Sequence, residues 1–228
     1  MGVASALQRA RAKPYGETFR CPGGALCLDF CNSGQGVRDL HGSEWLADFA
    51  DLLDWLEAGG ALGAEQSKRL HRAAHEAPEA AARLWRRALE LRESLRRVLE
   101  ARAHGHSPVR EDLARFEAEY AQSTVFARLR WDGGRAAWTL DPGASELAAV
   151  LQPIVQSAAE LLTSATLARV RRCGNPTCSW LFIDATRNRS RRWCEMASCG
   201  NVLKVRRHRE RKSAAAQARR ASGRGRKP

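Results

Sequence analysis

Apolar positions fall at helical spacing over most of the chain before Arg169. Leu46, Phe49, Leu52, Leu53 and Leu56 recur at three- and four-residue intervals, which predicts an amphipathic helix capped by Ser43 and ended by Gly59-Gly60. A second helix is expected over 64–76. Pro78, at a first-turn position, opens a longer one that turns Leu84, Leu91, Leu95, Val98 and Leu99 toward a core and ends near Gly105. Ser107-Pro108 starts another, to about Gln122. From Ser145 the series Leu147, Val150, Leu151, Ile154, Val155, Leu161, Leu162 and Leu167 predicts a long helix reaching the first C-terminal cysteine, bent at Pro153.

Two segments alternate with period two instead. Ala25 to Phe30 follows the turn-forming Cys21-Pro22-Gly23-Gly24 and predicts a short strand, with Leu26, Leu28 and Phe30 facing a core and Cys27, Asp29 and Cys31 on the other side. Val125–Trp131 and Arg135–Leu140 flank Asp132-Gly133-Gly134, a turn suited to a β-hairpin. Beyond Cys199 the segment Asn201 to Arg220 is helix-compatible, and the Gly- and Arg-rich end from Ser222 is expected to be disordered. The fold class that results is α+β, mostly α: a helical domain over 20–168 with a short strand and a hairpin, a small cysteine-built module with a basic helix over 169–216, and a disordered basic tail over 217–228. No linker separates the two domains.

A composition of 44% hydrophobic and 28% charged residues is ordinary for a globular protein, and no apolar run approaches the roughly 18 residues of a membrane span. The opening MGVASALQRARAKPYGETFR has no apolar secretion segment, so the expected compartment is the cytoplasm, where thiols stay reduced. Charge is informative once the chain is divided. From Arg169 onward 18 Lys and Arg face three acids, a net of +15, whereas the segment before Arg169 holds 20 basic and 22 acidic groups, a net of −2. An excess confined to one end is the footprint of polyanion binding.

That end also carries Cys173, Cys178, Cys194 and Cys199, two Cys-x4-Cys pairs fifteen residues apart. Four thiolates in paired spacing surround one tetrahedral Zn²⁺ and leave no open position for a substrate water, so one structural zinc per chain is expected. Gly174 and Gly200 follow metal cysteines, where a backbone lacking Cβ can turn its amide toward a thiolate. Trp180, Leu181, Phe182 and Ile183 are expected to cover the metal rather than stack on bases. Cys21, Cys27 and Cys31 have irregular spacing and are read as small buried side chains.

The loop between the pairs holds Arg187, Arg189, Arg191 and Arg192, a mixture suited to phosphate. Lys204, Arg207, His208, Arg211 and Lys212 recur along one face of the following helix, and Asn201, Arg206 and Arg207 are the candidates for reading bases. His208 could replace a metal ligand, but four thiolates already complete the tetrahedron. Asp29 and Asn32 either line a ligand pocket or cap a turn.

The stretches Arg171–Asp184 and Arg191–Arg209 resemble the CGNR-type zinc finger of bacterial regulators, all four cysteines included. Gly23-Gly24-Ala-Leu-Cys-Leu-Asp-Phe-Cys-Asn32 and Leu151–Leu162 resemble the opening motif and last helix of the ABATE domain, which commonly precedes that finger. The resemblance implies a stress-related transcription regulator whose finger binds DNA and whose larger domain senses a signal; residues 20–168, with no charge excess and more apolar helix than a small finger requires, are expected to bind a small-molecule effector or to form a homodimer. One position departs from the pattern: the family motif reads Cys-Gly-Asn-Arg, and this chain has Cys199-Gly200-Asn201-Val202, leaving the arginine's work to Lys204 or Arg206.

The function expected from these readings is DNA binding in transcriptional control, at the nucleoid, without catalysis. An RNA-binding or ribosome-associated role is the first alternative, since a zinc module with an Arg-rich tail serves RNA equally well. A small-molecule enzyme in the N-terminal domain is the second; it lacks a Gly-rich phosphate loop, a histidine–carboxylate motif and a nucleophile setting.

Overall fold

The computed structural model describes residues 22–34, 44–125, 127–140 and 146–224. The elements are α1 (Leu26–Asn32), α2 (Phe49–Ala58), α3 (Ala64–Glu76), α4 (Pro78–Ala103), α5 (Arg110–Thr124), β1 (Ala127–Asp132), β2 (Arg135–Leu140), α6 (Gln152–Thr163), β3 (Val170–Arg172), β4 (Leu181–Ile183) and α7 (Asn201–Arg224), with 3₁₀ turns at Glu146–Ala149 and Ala165–Arg169. β1–β2 and β3–β4 are separate antiparallel pairs. The molecule is mostly helical with small antiparallel strand pairs, the α+β class expected from the sequence pattern.

Three differences from the expected elements have physical causes. Residues 26–32 form a helix, not a strand: Cys27 through Asn32 are all buried, so no polar stripe marks the helical period and the run reads as alternation. The helix over 49–58 is capped by Asp48, whose carboxylate accepts from the Asp51 amide, while Asp51 Oδ2 accepts from the Ala47 amide at 3.0 Å, one residue ahead of the cap; Ser43 lies outside the described residues. The long helix from Ser145 is broken, because Pro153 sits in the first turn of α6 rather than bending a continuous helix, and the chain enters the cysteine module through a 3₁₀ turn and a strand. The basic helix extends to Arg224 through the alanine-rich 214–216, past the expected start of the tail at 217, and residues 225–228 lie outside the described set.

Two apolar clusters share α1. Phe30 packs among Leu46, which precedes α2, and Leu52, Leu53, Trp55, Leu56, Leu91, Ile154 and Val155, drawn from α2, α4 and α6. The other side of α1, through Cys27, Leu28 and Cys31, packs with Leu95, Leu99, Ala158 and Leu161, and also with Val170 of β3 and Leu181 of β4. The strands of the cysteine module are therefore built into the core of the helical domain. Burial pushes the Cys27 thiol up to about 12 and Cys31 well above the usual thiol range, which suits packing side chains and not nucleophiles; Cys21 lies outside the described residues.

Buried Arg92 of α4 clamps the chain before α2. Its guanidinium donates to both carboxylate oxygens of Glu44 at 2.6 Å. This bidentate pair also pins Trp45, whose ring meets Trp180 of the cysteine module edge-on at 5.8 Å.

Candidate metal centre and nucleic-acid face

β3 delivers Cys173 and β4 follows Cys178, so the strand pair forms the base of the first knuckle. The Cys173 amide donates to the Trp180 carbonyl oxygen at 2.8 Å, and the Cys178 amide to that of Asn175 at 2.8 Å. Asn175 Oδ1 accepts from both the amide and the hydroxyl of Thr177, which tightens the turn between the two cysteines. The second pair lies beside a π-turn over Met196–Gly200 that carries Cys199 and leads directly into α7.

The four Sγ atoms lie within 4.8 Å of one another, and all four cysteines are buried. Thiolates at about 2.3 Å from a tetrahedral Zn²⁺ stand about 3.8 Å apart. The Cys178–Cys194 and Cys194–Cys199 separations are 3.9 and 3.7 Å. The sulfurs also perturb one another: hydrogen bonds with Cys178 and Cys194 pull Cys173 down, and the same bonds with Cys173 push Cys178 and Cys194 up. Four buried sulfurs at these separations fit a bound metal, with zinc the ion that suits an all-sulfur tetrahedron.

The amides of the two glycines do not point at sulfur as expected. Gly174 N–H donates to the Arg192 carbonyl at 2.8 Å and Gly200 N–H to that of Glu195 at 3.2 Å; amides aimed at sulfur include those of Cys194, 3.5 Å from Cys173 Sγ, of Asn175 toward Cys173 and of Trp180 toward Cys178. Both glycines are closely packed, Gly174 against the Arg192 carbonyl oxygen, 3.1 Å from where a Cβ would lie, as well as against the Trp193 ring. A Cβ at Gly174 would lie 3.1 Å from that ring, and one at Gly200 3.1 Å from the ring and 2.7 Å from Met196 Sδ. A Cβ at either position would require the Trp193 ring to shift. Trp180, Leu181 and Phe182 are buried against the metal cluster and the core beneath it.

The basic residues separate into two kinds. Arg191 is a staple: its guanidinium donates to the carbonyls of Trp193 at 3.0 Å, Ile183 at 3.2 Å, Pro22 at 3.0 Å and also Cys194, and it lies 4.4 Å over the Phe182 ring. The sequence pointed to phosphate contact for this arginine, and the structure gives its guanidinium these carbonyl partners within the finger and at Pro22. Its neighbours Arg187, Arg189 and Arg192 are exposed, on a loop closed by buried Asp184, whose carboxylate accepts from Thr186 Oγ1 at 2.6 Å, Thr186 N–H at 3.0 Å and Arg191 N–H at 3.0 Å. Those bonds, Thr186 foremost, hold the Asp184 carboxyl below the usual range. Arg189 adopts a φ of 51°, and Arg192 lies 5.3 Å over the Trp193 ring.

On α7, Lys204, Arg211 and Lys212 are exposed, Arg206 donates to Glu210 at 3.0 Å, and Asn201 Nδ2 donates to the Ala197 carbonyl at 3.4 Å. The side chains of Arg207 and His208 lie outside the described residues. Val202 and Val205 are exposed on the first turns.

Asp29 and Asn32 face inward. Asp29 Oδ1 accepts from the Gly23 amide at 2.9 Å, and a Cβ at Gly23 would sit 2.9 Å from that oxygen. Asn32 donates through Nδ2 to the Leu181 carbonyl at 2.9 Å and accepts at Oδ1 from the Leu181 amide at 2.8 Å. Asn32 joins the helical domain to β4 of the module, whereas Asp29 closes the turn ahead of α1. The sequence pointed to these two residues and to the turn as one option, without revealing the partner strand.

A mostly helical body bonded to a buried four-cysteine centre, with a basic loop and helix beyond it, is the arrangement of a zinc-finger protein. The chain belongs to the ABATE family, described as "Putative stress-induced transcription regulator", whose model matches residues 24–165. Residues 169–212 match the model of the CGNR zinc finger. No curated protein matches the chain. Among the described residues no helix is long and apolar enough to cross a membrane.

Proposed function

We propose that this protein binds duplex DNA in transcriptional control, with one Zn²⁺ held by Cys173, Cys178, Cys194 and Cys199 as a structural ion and with no catalytic step. Zinc would fix the two knuckles and so set the loop of Arg187, Arg189 and Arg192 against the start of α7. The observation that carries the reading is the separation of the arginines: Arg191 is consumed by carbonyls inside the finger, while its neighbours and the basic groups of α7 stand exposed. Phosphate neutralisation would supply most of the affinity, and base reading would fall to the first turns of α7. The helical domain is bonded to the finger through Gly23, Asn32 and Trp45, so a signal received there, from a small effector or from assembly, would reach the DNA-binding end through α1. Such a protein works at the nucleoid.

Anisotropy titrations of the zinc-loaded full chain against labelled duplex DNA, over a range of salt and with structured RNA as competitor, test this reading. Steep salt dependence with duplex preferred is expected. Preference for RNA would move the function to the alternative class, and no binding at low salt would remove both.

A further inference from the structure

β1 and β2 form a ribbon with sharply divided faces, and no described element packs extensively against it. Leu129 pairs across from Trp138 and Trp131 across from Ala136, so these four project to one side, whereas Arg128, Arg130 and Arg135 belong to the other. Trp131 is 78% exposed, Leu129 60% and Trp138 55%. A two-stranded ribbon is marginal in water and gains independent stability only when its apolar face is covered.

We propose that this face is the docking surface for a second copy of the chain, so that the protein is a two-fold dimer joined through the hairpins of its helical domains. The three large side chains expose on the order of 450 Å² per copy, so two facing ribbons remove on the order of 900 Å² from water before any rim is counted, near the lower bound for a specific interface. The same patch from each copy meets itself about a two-fold axis, the commonest arrangement of soluble oligomers. Charge favours this location. The segment before Arg169 has a net charge of −2 and the rest +15, so copies meet through the helical domains without the repulsion that joining through the fingers would bring. Nucleic acid is the weaker occupant, because the aromatic rings and the arginines stand on opposite faces and Arg128 is occupied by the carbonyls of Val125 and Ala127 at 3.1 and 3.0 Å. The proposal does not rest on DNA binding, although two fingers held by one dimer would suit paired half-sites.

Sedimentation equilibrium of the zinc-loaded full chain at tens of micromolar should give twice the chain mass of 25.2 kDa. Trp131→Lys and Trp138→Lys should each raise the dissociation constant about thirty-fold or more, as loss of a central aromatic anchor does, while Arg130→Glu on the opposite face leaves the dimer intact. Dilution of the wild-type chain should red-shift its tryptophan emission as the rings return to water, a readout independent of any variant. A wild-type mass of 25.2 kDa at all concentrations, or a dimer indifferent to both lysines, overturns the proposal. So does a monomer whose duplex affinity drops with Trp131→Lys, which would give the face to nucleic acid.

Discussion

The side-chain amide of Asn32 pairs with the backbone of Leu181 as another strand would, donating at 2.9 Å and accepting at 2.8 Å. A helix of the ABATE part thereby supplies the outer rung of the finger's strand pair. Beside it Ile183 N–H donates to the Gly23 carbonyl at 2.8 Å, and Arg172 lies 3.7 Å from Glu100 of α4. The two parts share one core.

Asn32→Ala should lower unfolding stability by about 2–4 kcal/mol, because it leaves a buried amide and a buried carbonyl of Leu181 without partners. Urea denaturation followed by far-UV dichroism measures it. Asn32→Asp keeps the acceptor but sets a buried carboxylate oxygen against the Leu181 carbonyl, so at neutral pH it should cost at least as much. A loss no larger than that of an ordinary surface substitution, about 0.5 kcal/mol, would mean that water replaces the bracket.

Metal removal tests the shared core. The purified chain should hold one zinc with sulfur-only coordination at about 2.3 Å by X-ray absorption. Chelation, or Cys194→Ser, should lower the melting temperature of the whole chain, since Val170 and Leu181 belong to the same cluster as Leu95 and Leu99. A helical-domain transition that stays put when the metal leaves would show the finger to be thermally independent.

How far the sequence reveals these features depends on how local they are. Two cysteine pairs announce a metal because every ligand lies within one short segment. α3 and α4 are legible because each keeps a polar face and α4 opens on Pro78. α1 is hidden because a short helix buried on all sides shows no period. Arg191 is hidden for another reason: one of its four carbonyl partners, Pro22, is 169 residues away. In the sequence it is one arginine among four.

That difference predicts opposite phenotypes within one loop. Arg191→Ala should cost about 2–3 kcal/mol and weaken zinc retention, because four carbonyls around the knuckles lose their donor. Arg191→Lys should rescue little, since a single ammonium cannot span them. Arg187→Ala, Arg189→Ala and Arg192→Ala should leave stability within about 0.5 kcal/mol and each reduce the salt slope of duplex binding by about one. Thermal melts and anisotropy on the same preparations separate the two effects.

Arg97 of α4 holds Asp112 of α5 with a 2.6 Å contact, and this bond lowers the Asp112 pKa below its usual 3.8. A carboxylate depressed on folding stabilises above its unfolded pKa and loses that contribution as pH falls through the folded one. Wild type should therefore exceed Asp112→Asn in stability at pH 7, by less than about 1 kcal/mol given that Arg97 is half exposed. The gap should begin to narrow below about pH 4 and close as pH falls through the lower folded value. Denaturant midpoints of the pair at pH 7 and pH 3 provide the check, and a gap unchanged with pH would assign it to packing.

Val202 occupies the first turn of α7, 60% exposed, where the finger's motif has arginine. The side chain touches no core, so Val202→Arg should change stability by less than about 0.5 kcal/mol. If this turn faces the duplex, the added guanidinium neutralises one more phosphate, steepening the slope of log affinity against log salt by about 0.9. At low salt the affinity should rise several-fold. Val202→Ala is the control and should change neither quantity, because a small apolar side chain replaces another. Anisotropy titrations over a fourfold salt range decide the matter. An unchanged slope in Val202→Arg would place the first turn of α7 away from the phosphates and leave Arg187, Arg189 and Arg192 as the anchoring contacts.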